Sequence, residues 1–410
     1  MSVAAAEPSA ARRLFAERDF VLNLGSRFIN TFVIAMQTVS IGWTIYQITD
    51  DAMDLGFVGL SQFAPMLIFF LPAGWIADRF DRRLILAFCY LIEAVGGLTL
   101  YALLSFDVSV VLPIFLTLSL FGTARAFSQP AGQALIPSLV PRDLYPTAVA
   151  WNTAAGKLAG IIGPATGGLV FAAIGSHIFL VIGLTFIVPV IMTFAMRVRL
   201  RIPGKGLSGF SSVMAGFDYI WKKPIVLGAI SLDLFAVIFA GLPAMLPIFA
   251  RDILDVGAEG LGFMRAAPAI GAAATALLLT QIGTLRHSGI ILFITVGIYG
   301  ASILTFGFSS WFPLSLVALL ILGASDMVSV YIRQTLVYIR TPDEMRGRVS
   351  SVNSVSVNAS NELGDFRAGM MAAWVGVVPT VVVGGVVTLT VCVLWARFFP
   401  DLRRANRLDE

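Results

Sequence analysis

The chain has 410 residues, 58% of them hydrophobic and 13% charged, with 38 glycines and a formal net charge of +4, a balance that excludes a soluble globular protein. A bilayer core about 30 Å thick needs roughly 20 apolar residues per helical span, and such stretches run from end to end, so the chain reads as an all-α polytopic membrane protein. Its two cysteines, Cys89 and Cys392, fall inside apolar runs where a thiol behaves as a small hydrophobe, and no disulfide or metal role is assigned to them.

In chain order, Met1 to Asp19 carry Arg12, Arg13 and Arg18 without the apolar stretch of a cleaved signal, so the first span is expected to target the chain. Apolar windows and their breaks predict twelve transmembrane helices, near 20–48, 55–77, 84–105, 109–131, 146–172, 178–197, 224–249, 258–282, 289–308, 312–335, 344–371 and 377–398. Connections after even-numbered spans carry Arg79, Arg82, Arg83, Arg142, Arg197, Arg199, Arg201, Lys205, Lys222, Lys223, Arg286, Arg340, Arg346 and Arg348. The opposite connections carry Asp50, Asp51, Asp54, Asp107, Asp252, Asp255 and Glu259, with Arg251 the lone cation. The positive-inside rule then places both termini in the cytoplasm. The basic excess serves topology, and nucleic acid is not an expected partner.

The long polar interruption from Val198 to Trp221, with Pro203, Gly204, Lys205, Gly206 and Ser208, divides the spans equally. It predicts an N-terminal six-helix bundle over 1–197, a cytoplasmic linker over 198–223 and a C-terminal six-helix bundle over 224–410. The halves are related: Leu55-Gly56-Phe57 recurs as Leu261-Gly262-Phe263. Gly122, Gln133, Leu135, Pro141 and Asn152 likewise recur, at one constant separation, as Gly323, Gln334, Leu336, Pro342 and Asn353. Parallel six-span repeats are a transporter architecture that holds substrate near the membrane midplane.

Polar groups inside spans are expensive and face a cavity or a partner. In the first span Arg27, Asn30, Gln37 and Thr44 share one stripe; in the eleventh Ser351, Ser354, Asn358, Asn361 and Asp365 share another, with Glu362 beside them. Of these, Arg27, Asn30, Gln37, Asn358 and Asn361 are the substrate-cavity candidates. Glu93, Lys157, Asp233, Arg265, Asp326 and Arg367 each need a partner, water or a proton, since a buried unpaired charge costs several kcal/mol. The offset that superposes Leu55 on Leu261 also superposes Arg27 on Asp233, which suggests that these opposite charges face each other, as a proton-coupled switch or as a static pair. Burial favours the neutral form of a carboxyl, so Asp233, Glu93, Asp326, Glu362 and Asp365 are the proton-coupling candidates. Glu362 and Asp365 serve equally well as structural partners of Arg367 or of the cytoplasmic loop.

Two further features carry a family resemblance. The charged turn between spans two and three, Gly74-Trp75-Ile76-Ala77-Asp78-Arg79-Phe80-Asp81-Arg82-Arg83, matches the loop signature of the major facilitator superfamily at Gly74, Asp78, Arg79, Arg82 and Arg83, with Asp81 where many members have glycine. In span five, Gly163-Pro164-Ala165-Thr166-Gly167-Gly168 resembles the core of the superfamily's exporter signature, with Ala159 at one expected glycine. Arg125 lies further along span four than the arginine of that span's signature. The segments Pro342 to Val349 and Asn361 to Gly369 are similar to the subgroup that contains the bacterial enterobactin exporter.

The resemblance implies two pseudo-symmetric bundles rocking about a central site, with gating residues Gly74, Asp78, Arg79, Arg82, Gly163, Pro164, Gly167 and Gly168. Asp78 is expected near the start of span eleven, at Thr341 and Pro342, where unpaired helical N–H groups favour a carboxylate by about 0.3–1 kcal/mol. The arginines either hold that loop and grip anionic lipid headgroups or only enforce topology. Gly156, Gly160, Gly163 and Gly167 make a flat face that packs a helix closely, with or without a gating role, and Pro164 adds a bend.

The expected function is proton-coupled export of a small organic molecule, siderophore-like or drug-like, by a monomer in the bacterial inner membrane, in contact with protons and lipids. Uptake or flipping of a lipid-like substrate, or a non-transporting receptor, are the alternatives. No phosphate-binding loop is present, and His177 and His287 fall at opposite membrane faces, so neither ATP hydrolysis nor a histidine metal site is expected. The chain is not expected to be an enzyme or to hold a cofactor.

Overall fold

The computed structural model describes residues 10–106, 111–197, 210–282 and 287–404. Arg199, Arg201, Lys205, Asp107 and Arg286, named above for topology, lie outside these residues. The helices are α1 (Ala10–Ala16), α2 (Arg18–Thr49), α3 (Ala52–Arg79), α4 (Arg82–Ser105), α5 (Leu112–Leu139), α6 (Tyr145–Ile174), α7 (Ile178–Phe194) and α8 (Phe210–Lys222). They continue with α9 (Pro224–Ala240), α10 (Leu242–Ile248), α11 (Gly257–Ile282), α12 (Ser288–Phe308), α13 (Phe312–Ile339), α14 (Asp343–Val375), α15 (Val377–Phe398) and α16 (Pro400–Arg403). No strand occurs among the described residues.

Local chemistry explains the boundaries. Asp81 caps α4 by accepting the Arg83 N–H at 2.9 Å, satisfying a donor the helix start leaves open. Prolines 113, 224 and 313 sit in the first turns of α5, α9 and α13, where their missing N–H costs nothing. The seventh predicted span is broken: Gly241 adopts φ +49° between α9 and α10, a left-handed conformation, and a one-turn π-helix over Phe249–Ile253 follows. The fourth and tenth spans run further than predicted, to Leu139 and Ile339. The polar linker also holds a helix, α8, whose Ile220 is buried and whose Met214, Phe217 and Trp221 are exposed along one face.

Nine stretches among the described residues are long and apolar enough to cross a membrane, one of them running from Arg142 to Phe194. Helices α5 and α14 match them in length but are too polar to qualify on composition. The chain forms two compact units. The first contains Met1–Gln37, Ala64–Gly163 and Ser176–Gly206; the second contains Thr38–Phe63, Pro164–Gly175 and Leu207–Glu410.

In the first unit α4 packs on α5 and α7. A Cβ on Gly97 would lie 2.9 Å from Gly183 Cα, so these two backbones approach as only glycine allows. Leu14, Phe20, Tyr90, Leu135 and Leu144 are buried together at one end of this packing. In the second unit α13 packs on α11 and α12, and α9 on α14 and α15. Ala229, Leu232, Leu292, Ile332 and Val391 form one of its buried clusters.

Candidate functional site

Each unit carries a polar cavity lined by its own helices. In the first unit the cavity has a volume of about 280 Å³ and lies among α2, α4 and α5, with Arg27, Asn30, Tyr90, Arg125, Gln129 and Gln133 in its wall. Helix α5 turns Arg125 toward Glu93 of α4, a residue only 2% exposed, whose carboxylate accepts from Arg125 Nε at 3.1 Å. Arg125 Nη2 also donates to Gln37 Oε1 at 3.0 Å. Gln37 is fully buried and serves to hold Arg125, whereas Arg27 and Asn30 of the same stripe reach the cavity. Glu93 Oε2 has no hydrogen-bond partner among the described residues.

In the second unit a cavity of about 180 Å³ lies among α9, α13 and α14, lined by Asp233, Asp326, Arg333, Gln334, Asn353 and Asn361. A second hollow of about 300 Å³ shares Gln334, Val337 and Asn353 with it and extends to Arg346. Asp233 pairs with Arg333 at 2.6 Å. This replaces the expected pairing of Asp233 with Arg27, which donates instead to the Gly132 carbonyl at 3.2 Å. A charge on a neighbouring helix of the same unit is within reach without the repeat partner. Asn358 of the eleventh-span stripe donates to Ser354 O of its own helix at 2.9 Å, while Asn361 lines the cavity.

Four charged residues gather where the seventh span breaks. Breaking a helix at Gly241 frees the last carbonyls of α9 and the first N–H groups of α10, which hydrocarbon cannot satisfy. Arg367 of α14 donates to Ile238 O at 3.0 Å and to Phe239 O at 2.6 Å. Asp365 accepts from Ala244 N at 3.4 Å, and Arg265 donates to Pro243 O at 2.9 Å. Arg265 also lies in the field of the Asp365 and Glu362 carboxylates. Asp365 and Arg367 thus act on opposite ends of the interrupted helix. Lys157, by contrast, is exposed on α6.

The charged turn is built around backbone acceptors. Arg82 is 8% exposed and donates to Ala77 O at 3.1 Å and to Ala134 O at 2.8 Å, tying the end of α3 to α5. Arg83 donates to Met196 O, and Arg79 lies over the Trp75 ring at 4.1 Å. Asp78 is half-buried, and a Cβ on Gly74 would meet nothing within 4 Å.

Only part of the glycine face of α6 is in contact. A Cβ on Gly163 would lie 2.7 Å from Ala35 Cβ, in the first unit. In the second unit a Cβ on Gly168 would overlap Ala258 O and approach Gly262 Cα to 2.8 Å, and one on Gly262 would lie 2.7 Å from Pro164 O. Gly167 is buried, while Gly156 and Gly160 face open space. The same unit holds a second tight crossing, where a Cβ on Gly369 would lie 2.7 Å from Ala52 O and from Gly56 N. Nearby, Tyr46 donates its hydroxyl to Asp252, while Arg251 donates to Tyr46 O at 3.1 Å and pairs with Asp50 at 3.0 Å. That network gives a reason for a cation in an otherwise acidic set of connections.

Sequence reasoning passed over Arg333, Tyr46 and the linkage of Arg125 to Glu93. Arg333 had a signal, a charge inside an apolar span, obscured because the span was ended near 335 while α13 runs to Ile339.

Comparison with known proteins agrees with this architecture. The family model described as Transmembrane secretion effector matches residues 20–409. Enterobactin exporter EntS of Escherichia coli O1:K1 is 25% identical over 390 residues, spanning 92% of this chain and 91% of the exporter. The EntS of Shigella boydii serotype 18 matches to the same extent. Among solved structures, the nucleoside transporter NupG superposes with a TM-score of 0.72 at 11% identity, covering 93% of this chain and 99% of its own. A bacterial homologue of the iron transporter ferroportin superposes with a TM-score of 0.69 at 14% identity, covering 94% and 99%. At these identities the structural likeness establishes the fold alone. With residues 20–409 matched by one family model, the chain belongs to the transmembrane secretion effectors of the major facilitator superfamily, and is a multi-pass membrane transporter whose relatives are transporters rather than enzymes.

Proposed function

We propose that the chain is a secondary active exporter that moves a small, siderophore-like organic molecule out of a bacterial cell in exchange for protons. Its carrying observation is the Asp233–Arg333 pair, 2.6 Å apart in the wall of a cavity among membrane-spanning helices. The only ion-pair partner of Asp233 among the described residues is that one guanidinium, and making and breaking this pair beside the cavity is the step we assign to proton coupling. A proton falling through the membrane potential supplies about 2.3 kcal/mol per 100 mV, which drives modest accumulation per proton. Asp326 shares that cavity, and Glu93, with one bare oxygen, is the candidate acid of the first unit. Asp365 and Glu362, beside the broken span, are read as structural. The likeness to the enterobactin exporter over nine-tenths of both chains supports a siderophore-like substrate, with drugs as incidental cargo.

The proposed architecture has twelve spans. Counting Arg142 to Phe194 as two and adding the polar-lined α5 and α14 to the apolar stretches gives that number. Two six-helix bundles, 1–197 and 224–410, then rock about a central site, joined by a cytoplasmic linker over 198–223 that includes α8. Both termini are cytoplasmic and the inner membrane is the site of action. Gly163, Pro164, Gly167 and Gly168 form close helix contacts, and Gly74, Asp78, Arg79 and Arg82 of the charged turn act in gating. The chain acts as a monomer, with Arg79 and the exposed aromatic face of α8 at the lipid headgroups.

Flux into inverted vesicles across siderophores and lipophilic cations tests this. Enterobactin-class compounds should accumulate only with a proton gradient, and Asp233→Asn should abolish that accumulation while the protein still folds. Gradient-independent flux, or undiminished flux in Asp233→Asn, would overturn the coupling.

A further inference from the structure

The two cavities occupy corresponding positions of the sequence repeat. The separation that carries Leu55 onto Leu261 carries Arg27 onto Asp233 and Thr31 onto Val237. The separation that carries Gln133 onto Gln334 carries Arg125 onto Asp326 and Gln129 onto Val330. All five residues of the first unit line its cavity, and all five counterparts line the cavity of the second. The correspondence extends to contacts: Arg27 bonds Gly132, and the mates of these two residues, Asp233 and Arg333, form the ion pair. The repeat has kept the cavity and inverted its charge, placing two arginines where the other unit places two aspartates.

The charges within the first cavity are unequal in what they face. Arg125 is balanced by Glu93 at 3.1 Å. Arg27 has no carboxylate within ion-pair distance among the described residues and makes one hydrogen bond, to the Gly132 carbonyl. A guanidinium in a membrane-spanning helix, aimed into a polar cavity without a counter-ion, is costly and marks a site. Its planar fork suits a planar anion with two oxygens, and Asn30, Gln129 and Gln133 add amide donors. In the second unit the matching wall carries two carboxylates against one guanidinium, a field that repels such an anion.

We propose that the cavity among α2, α4 and α5 is a subsite for a carboxylate-class anionic group of the transported molecule, held by Arg27, and that the charge-inverted cavity of the second unit excludes that group. This rests on the transporter reading and adds the chemistry of one end of its substrate.

The test uses the full chain in lipid nanodiscs at pH 8 and three probes of one shape and different charge: benzoate, benzamide and benzamidine. Ligand-observed NMR should show benzoate binding at least tenfold tighter than benzamide, with benzamidine failing to displace it. Arg27→Gln should weaken benzoate at least tenfold, about 1.4 kcal/mol, while Lys157→Gln, which removes an exposed cation elsewhere, leaves it unchanged. Arg27→Lys keeps the charge without the fork, so it should still prefer benzoate over benzamide; it carries the test if Arg27→Gln does not fold. Equal affinity for benzoate and benzamide, or benzoate binding indifferent to Arg27, would overturn the subsite. The two readings fail separately. Arg27-dependent benzoate binding without flux of any compound would remove the transport reading and leave the subsite; proton-driven flux with no Arg27-dependent binding would do the reverse.

Discussion

Arg367 shows how a single side chain maintains an irregular backbone inside a membrane. Its guanidinium takes two carbonyls that the break at Gly241 releases, Ile238 O and Phe239 O. Leaving a buried polar group unsatisfied costs about 1–3 kcal/mol, so Arg367→Leu should destabilise the protein by roughly 2–5 kcal/mol. A thermal melt in detergent measures this; an unchanged melting temperature would show that water or another donor replaces Arg367. The need of Arg367 for a partner was legible as a charge in an apolar span, but its acceptors were not, because a broken helix is a feature of backbone geometry. Arg82 teaches the same lesson. Its place in a charged turn is legible in the sequence, whereas its two backbone acceptors, on α3 and α5, are decided by the fold.

At the scale of elements, glycines of α6 that look equivalent at helical spacing differ in what they touch. Gly168 abuts Ala258 and Gly262, so Gly168→Ala should force helices apart and cost about 1–3 kcal/mol. Gly156 faces open space in mid-helix, so Gly156→Ala should be neutral or stabilising, by up to about 1 kcal/mol from helix propensity. Parallel thermal melts of the two variants decide it, and similar losses would refute the contact argument. The helix positions themselves were largely readable, because apolar windows bounded by charged or glycine-rich breaks mark where backbone leaves the bilayer. Helix α8 was not, since its apolar face is interleaved with the polar residues of a connection. Its exposed Phe217 and Trp221 stack at 6.4 Å, a surface suited to the membrane interface.

For the whole molecule, the network of Tyr46, Asp50, Arg251 and Asp252 joins the end of α2 to the π-turn after α10 within one compact unit. The proposed rocking would break and re-form this contact, and Tyr46→Phe should loosen it. A cysteine placed at Ala258, buried in the same unit, should then react faster with an impermeant maleimide added from outside the cell. An unchanged rate would mean that the network is not a gate. Topology has its own test: alkaline phosphatase fused after Arg403 should be inactive, and a fluorescent protein fused there should glow, as a cytoplasmic C-terminus requires. Active phosphatase would invert the proposed orientation.

Composition and the spacing of apolar runs were enough to determine a helical membrane protein and its helix boundaries to within a few residues over most of the chain, and the resemblance of short motifs pointed to its superfamily. These properties follow from the thickness of hydrocarbon and from short motifs, both of which are local in sequence. Only the tertiary structure decided which charges meet: Asp233 with Arg333, Arg125 with Glu93, Arg367 with the carbonyls of a broken helix. Ion pairing depends on which helices stand side by side and how each is rotated. The repeat relates positions between the halves without saying what lies opposite each one, so it brought Arg27 and Asp233 into correspondence, and packing gave each its own neighbour.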